Sequence, residues 1–195
     1  MSSFPKMPLI KAKAIADRFM KYLEPFVSKM SIAGSVRREC SEVGDIEICV
    51  IARDEFSLGI AFPLGYPGLA VNGSRLKRFI YPEKQLQIEL YIVVNEADWG
   101  RILAVRTGSS YFSHVQLAMN WNRKGFAGTE DGLRRKSECI KKGNVWKIKP
   151  EYKSAPTLPP PFYTEEDFFA FLSVPYVHPR ERSWVDKKQE YNYSV

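Results

Sequence analysis

Three acidic residues of this chain are spaced so that they could act together. In Asp45-Ile46-Glu47-Ile48-Cys49-Val50-Ile51 the character alternates, and a strand would place Asp45, Glu47, Cys49 and Ile51 on one face and Ile46, Ile48 and Val50 on the other. The two carboxylates then point the same way from Cα atoms roughly 6.5–7 Å apart, so their oxygens can converge on one metal ion or straddle two. Residues 86–94 repeat the pattern, with Leu86, Ile88, Leu90 and Ile92 apolar and Glu89 opposite them beside Gln87 and Tyr91. If the two strands are neighbours, three carboxylates meet. Hard oxygen donors of this kind suit Mg²⁺.

An isolated Asp-x-Glu is usually nothing more than the wet side of a half-exposed sheet; here the upstream sequence argues otherwise. Gly34-Ser35-Val36-Arg37-Arg38 combines a glycine that permits close backbone approach to a phosphate, a hydroxyl that can donate to it and arginines that can grip it bidentately. Gly44, directly before Asp45, offers a second close approach. A phosphate grip followed by a metal-binding carboxylate pair is what transfer from a nucleoside triphosphate requires.

The elements that must hold these residues are legible in outline. Apolar residues at Leu9, Ala12, Ile15, Ala16, Phe19, Met20 and Leu23 predict an amphipathic helix over 9–26 that Pro25 ends or bends. Residues 30–52 read as strand, polar turn (39–44) and strand, with 34–38 in the first strand. A hairpin is signalled by 69–71, the turn Asn72-Gly73-Ser74 and the strand 75–81; Pro82-Glu83-Lys84 leads into a strand over 85–94. After Gly100, Arg106-Thr107-Gly108-Ser109-Ser110 introduces a helix over 111–122 with Ser109 or Ser110 as its N-cap. Residues 154–161 are a proline-rich extended connector. Thr164 and Asp167 have the spacing of a helix start before an apolar run, and the polar tail 187–195 reads as frayed. The expected fold is α+β: a mixed β-sheet with helices over 1–100, followed by a small α/β subdomain over 101–195.

Composition narrows the class. With 195 residues and 45% hydrophobic content the chain can bury a core without staples. Cys40, Cys49 and Cys139 are an odd number without metal-binding spacing, so they are read as reduced thiols of an intracellular protein, and His114 and His178 have no catalytic partner. There is no secretion signal and no run of membrane length. The net charge of +7 is concentrated in residues 134–153, which hold eight basic and two acidic residues. Arg134, Arg135, Lys136, Lys141 and Lys142 are the candidates for contact with a phosphate backbone; Trp146 and Tyr152 among them are read as base-stacking residues or as part of a small core.

Residues 33–50, Ala-Gly-Ser-Val-Arg-Arg-Glu-Cys-Ser-Glu-Val-Gly-Asp-Ile-Glu-Ile-Cys-Val, resemble the palm signature of family X DNA polymerases, the polymerase-beta-like nucleotidyltransferases. The resemblance continues through Gln87–Val93, through the Thr107-Gly108-Ser109 segment with its following helix, and to the closing Glu-x-x-hydrophobic and Pro-x-x-Arg element near residues 165–182, covering roughly residues 10–185. It implies a nucleotidyltransferase palm with a thumb-like C-terminal part. Asp45 and Glu47 would hold two Mg²⁺ ions, with Mn²⁺ as a substitute, and Glu89 would hold the catalytic one. Gly34, Ser35, Arg38 and Gly44 would contact the triphosphate, and Thr107 and Gly108 would approach the sugar. The implied partners are a DNA primer, template or gapped duplex and a dNTP. A monomer, in gap filling or repair, is the expectation.

Several positions depart from that family. Glu47 and Glu89 stand where it has aspartates, each longer by one methylene. Val105 and Arg106 replace an aromatic pair that packs on the incoming sugar; Arg106 is read as a phosphate or base-edge contact or as a surface arginine. Ser113 and Leu117 replace an asparagine and a basic residue. Neither the lyase domain nor the helix-hairpin-helix modules of larger relatives precede the palm signature, so the basic cluster is the expected DNA contact. Two alternatives stay open: the same transfer to RNA, protein or a small molecule, and a DNA-binding module with impaired catalysis.

Overall fold

The computed structural model describes residues 4–183; the tail 187–195 lies outside them. A two-residue strand β1 (Met7–Pro8) precedes helix α1 (Leu9–Leu23), whose apolar stripe carries the fully buried Ala12, Ala16 and Leu23. Pro25 lies in the 3₁₀ turn Glu24–Phe26 that ends the helix. There follow β2 (Val27–Ile32), a single helical turn α2 (Gly34–Arg37), β3 (Glu42–Val43), β4 (Ile46–Ala52), a short helix α3 (Ser57–Ala61), the hairpin β5 (Leu69–Asn72) and β6 (Leu76–Tyr81), and β7 (Leu86–Ile92). β1 pairs with β3 outside the main sheet.

The main sheet has five strands in the order β2-β4-β7-β6-β5, mixed because β4 and β7 run parallel while every other pair is antiparallel. The alternation in β4 sorts its side chains as expected. Ile46, Ile48 and Val50 join Ile88, Leu90 and Phe79 in a core beneath α1, where Phe19, Phe62, Tyr66 and Phe79 pack ring against ring. Cys49 turns the other way, into a smaller cluster with Tyr91, Val93, Trp99 and Leu103. Apolar clusters thus pack on both faces of the sheet, and the carboxylate face stays open beside Glu47, Arg78 and Glu89.

Trp99 and Leu103 belong to helix α4 (Trp99–Thr107), which was not predicted; the expected boundary between residues 100 and 101 falls inside it. The expectation places Gly100 at the end of the first part. Instead it admits a close crossing: a β-carbon there would lie 1.8 Å from the Thr164 carbonyl oxygen, and its N–H donates to the Phe162 carbonyl at 2.7 Å. Residues 34–38, expected as strand, close a helical turn. Ala33 N–H donates the last rung to the Glu47 carbonyl at 2.8 Å, Gly34 turns left-handed at φ +57°, and the N–H groups of Arg37 and Arg38 fold back onto the carbonyls of Ala33 and Gly34.

After α4 the helical segment resumes as α5 (Ser110–Phe112), a π-helical stretch (Ser113–Ala118) and α6 (Met119–Arg123), with the Ser109 hydroxyl accepting from Phe112 N–H as N-cap. Two hairpins follow, β8 (Phe126–Thr129) with β9 (Gly132–Arg135) and β10 (Cys139–Lys142) with β11 (Val145–Ile148). Residues 156–162 have no regular structure, and α7 (Glu165–Leu172) starts at the expected Thr164–Asp167 capping box. Ala104, Phe112, Leu117, Phe126, Phe162, Phe168 and Leu172 form the core of this second part. No helix among the described residues is long and apolar enough to cross a membrane.

Candidate active site

Because β4 and β7 are parallel neighbours, Glu47 and Glu89 are direct register partners, and Asp45 lies in the bend just before β4, two residues from Glu47. All three line one cleft of about 700 Å³, together with Arg78, Gln87, Tyr91, Val105, Arg106, Gly108, Ser110 and Ser113. The third carboxylate is therefore where alternation in two separate strands predicts it. A larger cleft of about 830 Å³ lies between the Arg75 and Asp98 region, the two C-terminal hairpins and the proline connector. Two of its three acids are paired, Asp98 with Arg101 and Asp131 with Arg75, and the third, Glu130, is exposed; it is the smaller cleft that brings three carboxylates to adjoining positions.

Glu47 is wedged against the α2 turn: a β-carbon on Gly34 would sit 1.7 Å from its Oε2. Gly34 serves here to admit the glutamate, whereas close approach of a phosphate was expected. Burial raises the Glu47 carboxyl to about 7, with the charges of Asp45 and Glu89 pushing in the same direction. Burial and then the charge of Glu89 also raise Asp45 above its ordinary value. Two half-buried carboxylates that resist ionisation next to a third acid are a site that a cation would relieve.

Glu89 is held by the protein itself. One oxygen accepts from Arg78 Nε at 2.7 Å and from Gln87 Nε2 at 3.1 Å, and the other accepts from the Tyr91 hydroxyl. Burial and this bond raise the Tyr91 phenol well above its usual range. The exposed Arg106 stacks its guanidinium on the Tyr91 ring, 3.9 Å from its centroid, and lines the cleft. Cys49, on the same face further along β4, is pushed by burial to about 12 and is inert.

The donor set, two carboxylates on adjacent strands and one just before the first of them, fits a hard divalent cation in chemistry, and the raised pKa values of Asp45 and Glu47 fit it in electrostatics. As the side chains stand, no three Asp, Glu, His or Cys groups among the described residues gather as a metal centre. Asp45 and Glu47 are available, while Glu89 is tied to its three donors.

The predicted phosphate grip is only partly open. Ser35 Oγ is buried with no hydrogen-bond partner, which leaves a donor unspent beside Gly34; Gly44 directly precedes Asp45. Arg38 is engaged, donating to the Thr107 carbonyl at 2.6 Å and to Ser183 Oγ at 3.2 Å. Thr107 is placed differently from its expected role at the sugar. It is fully buried, and its hydroxyl accepts from Arg37 at 2.7 Å, so its polar groups serve the fold. Gly108 does line the cleft, and a β-carbon there would meet Ser113 Oγ at 2.6 Å.

None of the five basic candidates lines this cleft. Lys141 and Lys142 are exposed on β10 and Arg135 is exposed over the Phe126 ring, whereas Lys136 donates to the Asn122 carbonyl at 3.0 Å and Arg134 to its neighbour Leu133 at 2.8 Å. Sequence reasoning missed the fastening of this region. Glu165 accepts from Arg37 and from the fully buried Arg182; the resemblance includes Glu165 and Arg182 in its closing element, but nothing in the sequence shows that they bond to each other or to Arg37. Compared with protein-family models and with curated proteins, the chain matches none.

Proposed function

We propose that the chain is a nucleotidyltransferase that adds dNMP from dNTP to a DNA 3′-hydroxyl, in the manner of a family X polymerase reduced to a palm and a C-terminal subdomain. The observation that carries this reading is the pairing of Glu47 with Glu89 across parallel strands, with Asp45 on the same face and the Gly34-Ser35 turn against Glu47. Supporting it are the raised pKa values of Asp45 and Glu47 and the spare hydroxyl of Ser35.

Asp45 and Glu47 would hold Mg²⁺, with Glu89 as the third ligand. When bound, the ions supply charge neutralisation on the triphosphate and acidify the attacking hydroxyl. The side chains do the rest. Ser35 donates to a phosphate oxygen, and Arg106, on the Tyr91 ring, presents a cation to the triphosphate or the base edge. The primer 3′-oxygen attacks the α-phosphorus, its proton passes toward Glu89, and the bond to the bridging oxygen breaks to release pyrophosphate. Gln87 and Tyr91 keep Glu89 in place while it acts.

A second reading, a DNA-binding module without turnover, is favoured by the capture of Glu89 by three donors. Primer extension with Mg²⁺ on a one-nucleotide gapped duplex and on an unpaired strand, comparing dNTPs with NTPs, separates the two. Incorporation supports the enzyme and tells templated from untemplated transfer; binding without incorporation supports the module.

A further inference from the structure

We propose that Arg78 is a positioning residue with two states: it holds Glu89 while the cleft is empty, and it lets go when a backbone phosphate of the acceptor strand takes its guanidinium. This rests on the reading of Glu89 as the third carboxylate of a transferase. The antiparallel register of β6 and β7 sets Arg78 directly opposite Glu89, and Nε makes the 2.7 Å bond. With Gln87 on the same oxygen, both acceptor positions of that oxygen are filled. Glu89 is nearly closed to solvent, its side chain 8% exposed, whereas that of Arg78 is 37% exposed. Only Nε of Arg78 donates to a described residue, so the two terminal nitrogens of the guanidinium are unspent at the mouth of the cleft.

A guanidinium with free N–H groups beside an active-site carboxylate has a natural competitor for it, a phosphodiester oxygen, which it binds in the same charge-assisted way. The exchange replaces one such bond with another. It also vacates one position on Glu89, while Gln87 and Tyr91 still anchor that side chain, so the freed oxygen can turn to a cation shared with Glu47. The arrival of an acceptor would thereby complete the carboxylate set. Arg78 is not part of the signature by which the sequence resembles a known family, and β-strand register alone brings it to Glu89.

The test is a double-mutant cycle on the full chain without nucleotide. Mn²⁺ affinity, measured by titration calorimetry, is expected to rise about tenfold in Arg78→Gln. In a Glu89→Gln background the same substitution is expected to change it by less than about twofold. Reciprocally, in metal-free buffer Glu89→Gln is expected to tighten binding of oligothymidylate about tenfold, followed by fluorescence anisotropy, and Arg78→Gln to abolish that gain. Arg78→Lys, which keeps the charge but not the fork, gives the same direction at smaller size if the glutamine variant does not fold. Equal gains in both backgrounds would show that charge removal alone acts and would overturn the proposal, as would no gain. If none of the proteins binds Mn²⁺, the transferase reading fails in its cation site, and the oligothymidylate cycle still decides whether Arg78 is shared with Glu89.

Discussion

Arg37, in the turn beside the candidate site, grips Glu165 at the start of α7 through two hydrogen bonds of 2.9 and 2.6 Å across 128 positions of sequence. Arg182, with no solvent exposure, completes the group at 2.5 Å from the same carboxylate. The sheet part and the C-terminal part are thereby fastened at one buried acid, which shares the Arg37 guanidinium with Thr107.

Removing that acid leaves Arg182 buried and uncompensated. Glu165→Gln is expected to lower stability by about 3 kcal/mol, read from urea unfolding. Burial by itself raises the Glu165 carboxyl, but the hydrogen bonds and charges of Arg37 and Arg182 outweigh it and hold it below its ordinary value. A depressed acid contributes stability that is complete above its unfolded-state pKa and is lost as pH falls through the folded one. The wild type should therefore weaken on acidification, and Glu165→Gln should weaken less.

Glu47 predicts the opposite slope. Its carboxyl is raised from 4.5 to about 7, so the folded state binds a proton more tightly than the unfolded one. Without divalent cation, stability should decline as pH rises between those two values, by roughly 3 kcal/mol, and level off above them. Glu47→Gln should remove the decline, and Mg²⁺ should reduce it. Urea midpoints across this range, with and without Mg²⁺, measure both effects.

Gly34 tests the packing of the site against its chemistry. At φ +57°, with Glu47 in the space a β-carbon would take, Gly34→Ala must strain the turn and displace the carboxylate. The expected cost is roughly 1–3 kcal/mol in stability and about a hundredfold in nucleotide incorporation. Ser35→Ala leaves the turn intact and should cost incorporation without stability.

The exposed lysines of β10 belong, with Arg135, to the part of the basic cluster that is open to a backbone. Lys141→Ala with Lys142→Ala should weaken DNA binding at all sequences and reduce the salt slope by about 2, since each phosphate contact contributes roughly 0.9. Lys136→Ala, whose ammonium is held by Asn122, should affect binding less. Anisotropy titrations over a range of salt concentrations distinguish them.

The carboxylate trio was legible because alternation in a strand is a local rule: Asp45, Glu47 and Glu89 each follow from their neighbours in sequence, and only the adjacency of β4 and β7 had to be supplied by the fold. The Thr164 cap was legible for the same reason. Helix α4 was not: a glycine at its start weakens the local helical signal, and the close packing that calls for a glycine there is against Thr164, 64 positions away. The left-handed turn at Gly34, the Arg37–Glu165–Arg182 group and the Arg78–Glu89 pair likewise depend on distant partners. No pattern of spacing announces which arginine will cross from one strand to the next.

Single-nucleotide extension of a gapped DNA primer with Mg²⁺ and dNTP, comparing wild type with Asp45→Ala, tests the central claim most directly. Nucleotidyl transfer at this cleft predicts incorporation with release of pyrophosphate by the wild type, and a loss of roughly a thousandfold or more in the variant. Equal incorporation by both proteins, or none by the wild type on any primer offered, would contradict it.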